Sequence, residues 1–199
     1  DQDKRSFIAM FHSFYQNNDP LTARGLAQKH GERWVVQNPP ELYQTQAELD
    51  AVYALDYELA QHPYYEAQGS VKALETIRFS LSTHRGCYGE CNFCAIAVHE
   101  GRTVRWRSRA SILTESEKLT HHPAFKGYIQ DMGGPTANMY GYECRKKETR
   151  GVCLDKRCLY PVVCPALKPD HQPQLDLLRE VRRLRGVKKV FVASGIRYD

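Results

Sequence analysis

Residues 76–102 constrain this chain more than any other stretch. Apolar residues at alternate positions, Ile77, Phe79 and Leu81, lead directly into a loop that carries Cys87, Cys91 and Cys94. The alternation predicts a strand with one buried face. Glycines at 86 and 89 let the following chain curl tightly enough for several thiolates to point at one centre. Three thiolates leave one position of a tetrahedral site open, so the loop predicts either a metal position kept free for chemistry or a fourth ligand from elsewhere.

The rest of the chain extends this pattern. Ser111 to His121 reads as a helix and Tyr128 to Met132 as a second strand, stopped by Gly133-Gly134-Pro135. A polar insertion follows at about 136–171. The clearest helix comes next: Pro173 suits its first turn, Leu177, Leu178, Val181 and Leu184 form its apolar stripe, and Gly186 closes it. Val187 to Ala193 is a third strand. This alternation favours an α/β fold with parallel strands and right-handed crossovers, and places both the cysteine loop and Gly133-Gly134-Pro135 at the carboxyl ends of strands. Residues 1–75 read instead as a mainly helical extension. Phe7, Met10, Phe11 and Phe14 recur at helical spacing, residues 22–30 suit a short helix, Trp34-Val35-Val36 a short strand, and Leu49, Val52, Leu55 and Leu59 a further helix. The aromatic residues of this region are expected in its core.

Composition narrows the chemistry. All seven cysteines fall between residues 87 and 164, and an odd number cannot pair completely. In a chain with no signal-peptide pattern and no apolar run of membrane length, this points to metal or catalysis in a cytoplasmic protein. The absence of an initiator Met predicts a fragment or a processed chain. Charge is also uneven: residues 1–77 carry 6 Lys and Arg against 11 Asp and Glu, whereas residues 78–199 carry 22 against 12. The cysteine-bearing part is therefore the basic part, which permits an anionic partner such as RNA or a solvated surface.

Thiolate ligands favour zinc, copper(I) or iron–sulfur clusters. The spacing Cys87-x3-Cys91-x2-Cys94, with Phe93 before the last cysteine, resembles the signature of the radical SAM superfamily. The strings "THRGCYGECNFCAIAVHEGR", "DMGGPTANMYG" and "SGIRYD" resemble its YgiQ-type branch in particular, over roughly residues 76–199. The resemblance implies a fold, cofactors and roles. The fold is the first three strands of a (βα) barrel, with further strands beyond this chain. Cys87, Cys91 and Cys94 would ligate three irons of a 4Fe–4S cluster, whose fourth iron binds S-adenosylmethionine. Phe93 would lie against the adenine. Gly133, Gly134 and Pro135 match the element that receives the methionine amino group, with backbone carbonyls standing in for an acid because of Pro135. A reducing electron donor is needed, and the substrate is open. The alternative is a thiolate-zinc module that binds RNA without catalysis.

Four further thiols, Cys144, Cys153, Cys158 and Cys164, can close a second site as zinc or an auxiliary cluster, or pair as two disulfides. Lys146, Lys147, Arg150, Lys156 and Arg157 surround them. Arg105, Arg107 and Arg109 share one face of an extended chain with Trp106 nearby, suiting either a nucleic-acid backbone or ion pairs with Glu100, Glu115 or Glu117. His99 and Arg102 either order the cysteine loop or simply pack it. Arg197 either meets the cofactor carboxylate or pairs with Asp199.

Overall fold

The computed structural model describes residues 3–198 as a mixed α/β chain of short elements. In chain order these are α1 (Lys4–Gln16), β1 (Leu26–His30), β2 (Arg33–Gln37), α2 (Gln46–Tyr53), a 3-10 turn (Pro63–Gln68), α3 (Leu74–Ile77), β3 (Ser80–Ser82), β4 (His84–Arg85), α4 (Ile96–His99), β5 (Arg105–Trp106), α5 (Arg109–Thr120), β6 (Tyr128–Ile129), β7 (Asp131–Gly133), α6 (Arg145–Arg150), α7 (Gln172–Val181) and β8 (Lys189–Val190). They fall into two compact units. The first comprises residues 1–43, 86–104 and 143–168, and the second residues 44–85, 105–142 and 169–199.

The second unit holds the alternating pattern. β3 pairs with β7, and β6 with β8, both parallel. Segment 128–133 is thus flanked by β3 on one side and β8 on the other, and Met132 N extends the second pairing by donating to Phe191 O at 2.8 Å. No closed barrel forms among the described residues. The strands bury Leu81, Ile129 and Met132 against Ile112 and Leu119 of α5 and Leu177 and Val181 of α7. The helical members lie three or four residues apart or at multiples of that spacing, so each helix turns one face to the strands. Each of these side chains contributes about 1.5–3 kcal/mol on leaving water. α7 begins at Gln172 with Pro173 in its first turn and ends at Val181, and Gly186 closes the following turn with φ +94°.

The first unit departs more from expectation. Residues 22–30 form no helix; Leu26–His30 pairs antiparallel with Arg33–Gln37. The two-residue connection Gly31-Glu32, with Gly31 at φ +60°, supplies the tight turn, and the pairing with β-branched Val35 and Val36 overrides the local helical pattern. α1 is helical as predicted but buries none of its residues: Phe7, Met10 and Phe11 are exposed, so these side chains are not core.

Two boundaries in the second unit also moved. Ile77 ends α3 and is exposed, so the strand starts only at Ser80. α2 stops at Tyr53, short of Leu55 and Leu59, although its start is well fixed: Thr45 and Glu48 form a reciprocal capping box. No helix among the described residues is long and apolar enough to cross a membrane.

Candidate metal and cofactor site

The pairing of β4 with β5 holds the two ends of residues 86–104 side by side. Within that segment Cys87 N donates to Gly101 O at 3.1 Å, and Cys94 N donates to Cys91 O at 3.0 Å, which folds the cysteines into consecutive tight turns. Gly86 cannot carry a side chain: its φ is +82°, and a Cβ would stand 2.3 Å from Thr103 O. Glu90, between the first two cysteines, adopts φ 47°.

All three thiols are free. Cys87 Sγ accepts the Gly89 N–H at 3.2 Å. Burial raises the Cys87 pKa, backbone N–H donors at Gly89 and Glu90 oppose it, and Cys91 and Cys94 raise it further by their proximity. Three neighbouring free thiols, with backbone N–H donors at the Cys87 sulfur, are a donor set suited to a cationic metal centre. Among the described residues, no three His, Cys, Asp or Glu side chains already stand in ligand geometry. Cys91 and Cys94 open onto a groove of about 880 Å³, which gives room for a group larger than a single ion. Phe11, Phe14, Tyr15 and Phe93 line it too, so the apolar residues of α1 face this groove rather than a core. Phe93 is 92% exposed.

Beneath the loop lies a buried charge network. Glu90 accepts from Lys147 Nζ at 3.1 Å and from the Tyr15 hydroxyl, and Arg102 Nη1 stands 3.9 Å from it. Lys147 also donates to Arg102 O at 2.8 Å, and Arg102 donates to Tyr15 O while stacking over the Tyr15 ring. Burial works against the Lys147 ammonium, but Cys158 and Glu90 outweigh it and hold its pKa above the ordinary value. Arg102 therefore orders the loop from within. Sequence alone does not pair Glu90 with Lys147, because nothing local relates positions 57 residues apart.

The later cysteines come together. Cys144, Cys153, Cys158 and Cys164 line one cavity of about 220 Å³, with Lys146, Lys147, Lys156 and Arg157. All four are free.

Gly133, Gly134 and Pro135 lie in the second unit, where packing dictates the glycines. A Cβ on Gly133 would stand 2.2 Å from Ser194 Oγ, and one on Gly134 would stand 2.5 Å from His84 Nε2. His84 is buried between the Thr83 and Thr136 hydroxyls, at 2.9 and 3.2 Å. Burial pushes its pKa down to about 4, opposed by the Ala137 backbone and aided by the Arg85 charge. Ser194 Oγ is buried without a hydrogen-bond partner among the described residues, beside the glycine pair. Such an orphaned hydroxyl suits a polar ligand group there.

The basic strip is largely engaged within its own unit. Arg107 is buried, ion-pairs with Glu115 and stacks on Tyr53, and Arg109 ion-pairs with Glu180. Asn138 Oδ1 accepts the Arg197 N–H at 2.6 Å; Asp199 lies outside the described residues.

Comparison with known proteins adds an independent line. A family model described as "Radical SAM N-terminal" matches residues 1–80. A UPF0313 protein of Fusobacterium nucleatum is 51% identical over 197 residues, covering 99% of this chain and 35% of that protein. UPF0313 proteins of Methanocella arvoryzae and Methanosarcina mazei are 51% and 50% identical, over 99% and 100% of this chain and 33% and 31% of theirs. The chain thus spans about a third of the length of these curated relatives.

Proposed function

The chain belongs to the radical SAM superfamily, on its UPF0313 branch, and from that premise we propose that the full-length protein is a cytoplasmic enzyme that cleaves S-adenosylmethionine reductively. Cys87, Cys91 and Cys94 would hold a 4Fe–4S cluster by three of its irons. Such a cluster supplies the electron that converts S-adenosylmethionine into methionine and a 5′-deoxyadenosyl radical, which abstracts hydrogen from a substrate. Phe93 offers its exposed ring and backbone to the adenine. Gly133, Gly134 and Pro135 receive the methionine amino group through backbone carbonyls. The parallel strands β3, β7 and β8 are, on this reading, the start of a (βα) barrel preceded by an extension over residues 1–75.

One observation carries the reading. Three free thiols share one loop, Cys91 and Cys94 lie close enough to Cys87 to raise its pKa, and those two open onto a groove far larger than a single ion needs. A structural zinc ion would demand a fourth protein ligand and no groove. The zinc module binding RNA has less support, since Arg107 and Arg109 are taken up by Glu115 and Glu180.

The test is made on full-length protein, purified without oxygen, supplied with iron and sulfide, and reduced in the presence of S-adenosylmethionine. Expected are a visible charge-transfer band and release of 5′-deoxyadenosine and methionine. Cys91→Ala should lose the cleavage and about four irons per chain. Zinc uptake without iron at these three cysteines, with salt-dependent RNA binding, would overturn the reading.

A further inference from the structure

We propose that Cys144, Cys153, Cys158 and Cys164 together hold a second metal centre, a closed four-thiolate site separate from the Cys87, Cys91 and Cys94 set. The chain brings these four residues in from distinct turns. Cys144 immediately precedes α6, Cys153 follows the turn at Gly151 (φ +80°), and Cys158 and Cys164 are drawn together by the hydrogen bond from Cys164 N to Cys158 O at 2.8 Å. All four residues line the same small cavity, and none is in a disulfide. Cys144 and Cys158 are buried, so the site is shielded from water on that side.

Two physical arguments turn this gathering into a site. Residues 151–168 contain neither helix nor paired strand beyond the single bridge Glu143–Lys168, so little backbone hydrogen bonding holds the segment in place. Irregular segments of this kind are commonly held by a metal, whose binding energy becomes folding energy. The second argument is charge. Four thiolates around a zinc ion, or around a 4Fe–4S cluster in its 2+ state, leave a net charge of about −2. Cations already line the cavity: Lys147, buried and paired with Glu90 at 3.1 Å, together with Lys156 and Arg157. Cations lining a wall of thiols offset the negative charge those thiols carry when a bound metal holds them as thiolates. Through Lys147 and Glu90 this second centre would also brace the Cys87–Cys94 loop.

The test leaves the second set intact and removes the first. Full-length protein carrying C87A, C91A and C94A is prepared without oxygen in the presence of zinc or of iron and sulfide, desalted, and analysed for metal. The expected result is retention of about one zinc, or of about four irons with a charge-transfer band; which of the two is retained identifies the centre. Adding Cys144→Ser and Cys158→Ser should abolish that retention. Cobalt(II) added to the triple variant gives a second readout that needs no change in the four cysteines: intense thiolate-to-cobalt absorption is expected. A triple variant that binds no metal and shows no cobalt bands overturns the proposal. So does metal retained after the two serine substitutions, or thiol counting that finds the four cysteines paired as disulfides in protein prepared without oxygen. None of these outcomes bears on cofactor cleavage at Cys87, Cys91 and Cys94, which is read separately in protein with that set intact.

Discussion

Glu90 and Lys147, 57 residues apart, meet as a buried ion pair at 3.1 Å directly beneath the three-cysteine loop. Each offsets part of the other's cost of leaving water. Breaking one side of such a pair costs about 3–5 kcal/mol, whereas replacing both with neutral residues of similar size costs much less. Lys147→Met should therefore destabilise the protein strongly, and Lys147→Met with Glu90→Gln should recover a good part of the loss. Urea denaturation of the two variants checks this; a double variant no more stable than the single one would refute the pairing.

His84 gives the fold a pH dependence of definite sign. Its folded pKa, about 4, lies below the ordinary value of 6.5 because burial disfavours the imidazolium. Arg85 adds to the effect and the Ala137 backbone opposes it. The contribution of the neutral ring is complete above pH 6.5. As pH falls, the unfolded chain takes up the proton first, and stability is lost progressively down to about pH 4, by on the order of 3 kcal/mol. Stability measured at steps from pH 7 to pH 4 should show this slope, and His84→Gln should flatten it by about one proton.

The glycine pair should differ in its response to a methyl group. Gly133→Ala clashes with the Ser194 hydroxyl at 2.2 Å, its other neighbours standing at 3.4 Å or more, so the loss, about 1–3 kcal/mol, should be largely relieved by adding Ser194→Gly. Gly134→Ala meets three atoms of the His84 ring between 2.5 and 2.8 Å and should gain nothing from Ser194→Gly. A double-mutant cycle on thermal stability separates the two cases.

Arg107 provides a test of whether the basic strip is structural. Besides Glu115, it donates to Ser82 O at 3.0 Å and to Ser111 Oγ at 2.8 Å, while its own carbonyl accepts from the Tyr140 hydroxyl at 3.1 Å. Lys in its place cannot reproduce the planar fork of donors. Arg107→Lys should lower stability by about 1–3 kcal/mol. A variant of unchanged stability with weakened RNA binding would instead mark Arg107 as a nucleic-acid contact.

Much of this was legible in the chain itself, for identifiable reasons. Cysteine spacing, glycines that permit tight turns, and apolar periodicity at 79–81, 128–132 and 177–181 are local patterns. They sufficed to place the cysteine loop after a first strand, the parallel pairing of the strands, and α7 with its Pro173 start. The grouping of the four later cysteines followed from their closeness in sequence. Local pattern misled where a competing partner lay nearby. Residues 22–30 carry a helical rhythm, yet Gly31 lets them fold back on Val35 and Val36. The apolar stripe of α1 is real, but it lines a groove rather than filling a core.

What only the tertiary structure decided are relationships between distant residues. These include the ion pair of Glu90 with Lys147, the His84 ring packed on Gly134, the Ser194 hydroxyl against Gly133, and the commitment of Arg107 to Glu115. The reason is physical. A sequence exposes the propensities of neighbouring residues, and these fix where thiols and glycines occur. The cost of burying a charge, or the space left for a methyl group, depends on which surfaces meet. That is set when long-range packing brings together groups that no local interaction relates.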